Sequence, residues 1–163
     1  MSTNSHIFRQ KPTDKTVLQC ISIHWDGYPN GVGKTLFQHW NDPEKVAELF
    51  NLGKGYLSSI HPTMDTIFAK DEGRMPTLEI QEFPFGADIF SGDVYYSPYY
   101  YLYIDNLWYF SKGENIYLLS DILHNCTDLD NFLVMIGDEY KPTISASFQI
   151  PLYKFFKKEG VTL

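Results

Sequence analysis

The chain has 163 residues, a length that favours one domain and buries enough surface to fold without disulfide or metal staples. Hydrophobic residues make up 44% and charged residues 20%, which excludes intrinsic disorder, and no apolar run reaches the ~18–20 residues of a membrane span. A formal charge of -7, from 13 Lys plus Arg against 20 Asp plus Glu, argues against general nucleic-acid binding, because phosphate contacts need cations.

Residues 1–15 are polar and lack the apolar stretch of a signal peptide, so they read as a flexible arm on a cytoplasmic protein. Residues 16–163 read as a single α+β domain. Its first strand is 17–25, VLQCISIHW, and a dense turn signal follows at Asp26-Gly27-Tyr28-Pro29-Asn30-Gly31. A short helix is expected from Gly31 or Val32 to Trp40. A second begins at Asp42-Pro43, with aspartate as N-cap and proline in the first helical position, and ends at Gly53. Residues 53–75 read as loop, and 77–83, TLEIQEF, as a half-exposed strand. Tyr101–Ile104 and Leu107–Phe110 flank Asp105-Asn106, a two-residue hairpin signal, and Ile116–Leu119 completes a three-stranded meander. Asp128 can cap a helix carrying Leu129, Phe132, Leu133, Ile136 and Tyr140, with a last strand at 144–150. The fold class expected is α+β: a mostly antiparallel sheet, made of the N-terminal strand and the C-terminal meander, packed with two short N-terminal helices and one C-terminal helix.

The segment His24-Trp25-Asp26-Gly27-Tyr28-Pro29-Asn30-Gly31-Val32-Gly33-Lys34-Thr35 invites a P-loop reading, since Gly33-Lys34-Thr35 follows a strand and opens a helix. The spacing fails. The motif needs glycine five residues before Gly33, where Tyr28 stands, and no βαβ alternation accompanies it. The same stretch, continued through Gln38-His39-Trp40-Asn41-Asp42-Pro43 to the turn Gly55-Tyr56-Leu57-Ser58-Ser59, resembles a group of small, mostly uncharacterised phage and prophage proteins with a His-x-Asp-Gly-Tyr-Pro-x-Gly-Val-Gly motif. The resemblance covers residues 17–60 and implies a viral or mobile-element origin. It carries over no catalytic residues.

Tyrosine, at 12 residues, suits interfaces and ligand pockets, so binding is a better first reading than chemistry. The function expected is a phage-type accessory protein that inhibits a host antiviral defence component, either by masking a protein or by sequestering a nucleotide signal. Two alternatives stay open: an enzyme acting on nucleotides or phosphate esters through the 24–35 loop, and a virion or assembly component. The contact residues expected are His24, Asp26, Tyr28, Gly31, Gly33, Lys34 and Thr35 from the loop, with Tyr99, Tyr101 and Tyr103 from the tyrosine-rich strand. In the loop, His24 and Asp26 can exchange protons or brace their own turn, and Lys34 can meet an anion or stay solvated. No cofactor is expected. Nor is a metal, because His6, His39, His61 and His124 lack ligand spacing and Cys20 and Cys126 read as buried apolar residues.

Overall fold

A computed structural model of the chain describes residues 3–63, 79–84, 99–112, 115–125 and 144–145. In chain order the elements are β1 (Ser5–Lys11), β2 (Asp14–Ile23), a π-helical turn (Pro29–Gly33), α1 (Lys34–His39), α2 (Pro43–Phe50), β3 (Tyr56–Leu57), β4 (Gln81–Pro84), β5 (Tyr99–Ile104), β6 (Leu107–Lys112), β7 (Asn115–Leu118), α3 (Leu119–Asn125) and β8 (Ile144–Ser145). The strands form one sheet in the order β3-β2-β1-β5-β6-β7-β8, with β4 also paired to β2.

This sheet is mixed, which corrects the expectation of a mostly antiparallel one. β1 runs parallel to β5 along Ser5–Arg9, and β2 runs parallel to β3, while β1–β2, β2–β4, β5–β6, β6–β7 and β7–β8 are antiparallel. The correction comes from the segment read as a flexible arm. Residues 5–11 instead form a strand between β2 and β5, joining the N-terminal half of the sheet to the C-terminal hairpin. Ile7 and Phe8 are fully buried there, on opposite faces. A strand that is internal to the sheet and covered on both sides sinks even its polar residues, and Ser5, His6 and Arg9 are buried too.

Helix α2 forms where its sequence predicts. Asp42 stands in extended geometry and its side chain accepts the Lys45 N–H at 2.9 Å, while Pro43 occupies the first turn. Val46, Leu49 and Phe50 face inward, and Gly53 ends the segment with φ 71°. The hairpin turn Asp105-Asn106 has φ of 52° and 65°, the paired left-handed geometry that matches strand twist. Leu119 begins α3 rather than ending a strand, and Ile122 is buried one turn later. The helix expected after Asp128 and residues 146–150 of the last strand lie outside the described residues.

The helices cover one face of the sheet. Ile7, Ile21, Ile23, Tyr99, Tyr101, Tyr103, Trp108 and Phe110 pack there against Val32, Leu36, Trp40, Val46, Leu49 and Phe50. Buried indoles find partners: Trp40 Nε1 donates to the His61 carbonyl at 2.8 Å, and Trp108 Nε1 to the Trp40 carbonyl at 2.9 Å. All six residues of β5 are buried, so alternate tyrosines of the run fall on both faces of the sheet, inside the protein.

Candidate functional site

The loop after β2 is built as a closed knuckle. Its backbone donors are used internally: Gly27 N–H to the Thr3 carbonyl at 2.8 Å, Gly31 N–H to Tyr28 at 2.9 Å, and Val32 N–H to Asp26 at 2.8 Å. The Lys34 N–H is directed at the Gly31 and Pro29 carbonyls. A phosphate cradle needs such groups pointing outward, and here they point inward. Gly31 is required by this folding-back, because a Cβ would collide with the Asp26 carbonyl oxygen. Gly33 is required by the core, since a Cβ would lie 3.1 Å from Tyr101 Cε1.

Tyr101 locks the knuckle from below. Its hydroxyl donates to the Gly27 carbonyl at 2.7 Å, and the side chain is fully buried. Burial pushes its pKa well up, Tyr99 adds to the effect, and a backbone hydrogen bond from Gly33 opposes it. Thus the structure does bring the tyrosine strand to the loop, but as its support. Tyr99, Tyr101 and Tyr103 are all buried on the helix-covered face, and of the three only Tyr103 reaches a cavity, at the far end of β1.

The outer face of the knuckle is made by His24, Trp25, Asp26 and Tyr28. Trp25 is 41% exposed, with the His24 ring edge-on to it at 4.5 Å. Asp26 is exposed and adopts φ 57°, a conformation uncommon outside glycine. Its carboxylate accepts the Tyr28 hydroxyl at 3.1 Å. Asp26 is therefore committed to its own turn, and His24 to the indole, rather than to one another. Lys34 is exposed at the start of α1, and Thr35 is half-buried beside it. Among the described residues no group of three His, Cys, Asp or Glu side chains is arranged to hold a metal ion. Cys20 is buried and its thiol pKa is pushed up by burial, so it is protonated and inert at neutral pH.

A concavity lies at the opposite end of β1. It encloses 320 Å³ between the β1–β2 turn, α2 and the β5–β6 turn, and its lining includes Arg9, Lys11, Lys15, Val46, Tyr103 and Asp105. Of these only Tyr103 is among the contact residues that the sequence predicts. No local pattern marks Arg9, because Ser5–Lys11 does not alternate apolar and polar residues; only the placed strand puts Arg9 on the same side as Ile7.

The chain matches no family model, no curated protein and no solved structure. No helix among the described residues is long and apolar enough to cross a membrane.

Proposed function

We propose that this chain acts by binding, as an accessory protein of phage type that masks a component of a host antiviral defence in the host cytoplasm, with the knuckle around Trp25 as its contact surface. The observation that carries this reading is an exposed tryptophan mounted on an internally bonded loop. Tryptophan is among the residues that dominate binding energy at interfaces, and a preorganised anchor loses little conformational entropy on docking. The charge of -7 favours a partner with a basic surface and speeds its encounter. Sequestration of a nucleotide by this loop is disfavoured by its inward-facing N–H groups, and so is phosphate-ester catalysis there.

The test is a phage challenge of bacteria that carry defined defence systems and express the wild-type chain or Trp25→Ala. The wild type should abolish protection by one system, and Trp25→Ala should restore it while melting at the same temperature. Purified partner should lose at least tenfold in affinity for the variant, about 1.4 kcal/mol. Full activity of Trp25→Ala would remove the knuckle from the interface, and inactivity of the wild type across the panel would remove the anti-defence reading.

A further inference from the structure

We propose that the cavity at the end of β1 is a binding site for a small phosphate monoester, held by Arg9 and Lys15 at its phosphate and by α2 and Tyr103 along its body. The proposal stands apart from the knuckle. It begins with Arg9, which is only 8% exposed although it is a permanent cation. Its guanidinium lies 4.8 Å from the centroid of the Phe50 ring, and its Nε donates to Gln19 Oε1 at 2.8 Å. Among the described residues no carboxylate comes within ion-pair distance of it, and its two terminal amino groups have no hydrogen-bond acceptor. Partial burial lowers its pKa, and the guanidinium lines the cavity. A buried cation of this kind is stable when an anion completes it, and the planar fork of arginine fits two oxygens of one phosphate.

The other cations of the lining sort by partner. Lys11 is paired with Glu82 at 3.0 Å, and Glu82 also accepts Gln19 at 3.1 Å, so that charge is already balanced. Lys15 is exposed and has no ion pair among the described residues. Arg9 and Lys15 are thus the two uncompensated positive charges, which matches the two negative charges of a monoester. The remaining wall suits an organic body: Pro43, Val46 and Ala47 of α2 with the Tyr103 ring. The Tyr103 hydroxyl itself is buried with no hydrogen-bond partner among the described residues, so the residue offers the cavity its ring. Asp105 accepts a hydroxyl or amine of that body and penalises a bare polyanion. At 320 Å³ the space is at the low end of the roughly 300–1,000 Å³ typical of small-molecule sites, sized for one ring and its phosphate.

The experiment is calorimetric titration of the full chain near neutral pH with phenyl phosphate, inorganic phosphate and benzoate. Phenyl phosphate should bind saturably at one site, and each of the other two should bind at least tenfold more weakly, one lacking the body and the other the second charge. Lys15→Glu, an exposed change that leaves the fold intact, should weaken phenyl phosphate at least tenfold. Arg9→Met should do the same while melting no lower than wild type without ligand, since an apolar side chain replaces an uncompensated charge. Trp25→Ala should leave this binding unchanged. The proposal is overturned by absence of saturable phenyl phosphate binding, by benzoate binding as tightly, or by unchanged affinity in Lys15→Glu.

Discussion

At the start of β1, His6 is buried with its ring 6.0 Å from Tyr100 and the planes 21° apart, and burial pushes its pKa down to about 4. Three residues later Arg9 is just as deeply buried, yet it cannot discard its proton. The strand therefore carries two bases into the interior and resolves them in different ways. His6 is buried as a neutral ring, and the loop beside that end of the strand is closed by its own hydrogen bonds. Arg9 stays charged, and the cavity beside it has donors left over. The comparison teaches where to look for a ligand: the glycine-rich segment with the familiar motif is satisfied from within, while the unremarked strand end holds the unmet charge.

The largest effect that sharpens this contrast is acid destabilisation through His6. The unfolded ring takes its proton near pH 6.5 and the folded one only near pH 4, so the unfolded state binds more protons in between. Stability from this source is complete above pH 6.5 and falls as pH drops from 6.5 to 4. The loss is on the order of 3 kcal/mol, from about 1.4 kcal/mol per pKa unit. Urea melts at pH 7.5 and pH 4.5 should show this loss in wild type and not in His6→Phe; equal losses in both would assign it to other groups. Next comes Gly27→Ala. A Cβ there would sit 2.7 Å from the Asn4 carbonyl oxygen, just ahead of β1, so the knuckle must shift off the strand. The expected cost is about 3 kcal/mol, the upper end for overpacking. Tyr101→Phe should cost less, about 2 kcal/mol, because it leaves the Gly27 carbonyl buried without its donor. A thermal melt of Tyr101→Phe matching wild type would mean that the knuckle closes without this bond.

The legible parts of the sequence were those where local chemistry decides the backbone. Asp42-Pro43 announced α2 through a cap and a preset φ, and Asp105-Asn106 announced the hairpin through tolerance of left-handed geometry. The segment Ser5–Lys11 gave no such signal. Serine, histidine, arginine and lysine read as solvent-facing, and only pairing with β2 on one side and β5 on the other draws them inside. The same non-local pairing reversed the sense of the sheet at its centre and hid the tyrosines. Tyr99, Tyr101 and Tyr103 share a face as their spacing requires, but which face meets the helices is decided by elements far away in sequence. Arg9 was missed for a related reason, since a charged residue in a short polar stretch gives no sign of burial until the strand is placed.

The smallest expected effect separates the two ends most cleanly. Lys34 occupies the place of the phosphate-binding lysine in the Gly-Lys-Thr ending, and a ligand at that loop would depend on it. In the structure Lys34 is exposed, it does not line the cavity, and the backbone around it turns its N–H groups inward. Lys34→Ala should therefore change stability by less than about 0.5 kcal/mol, as surface substitutions do. Its affinity for phenyl phosphate should stay within about twofold of wild type, well short of the 1.4 kcal/mol that a tenfold loss represents. The informative measurement is the pair of variants side by side. Loss of phosphate binding in Lys15→Glu with retention in Lys34→Ala locates the anion at the cavity. The reverse pattern would return it to the loop, and would require the inward-bonded N–H groups of Gly31, Val32 and Lys34 to reorganise around the ligand.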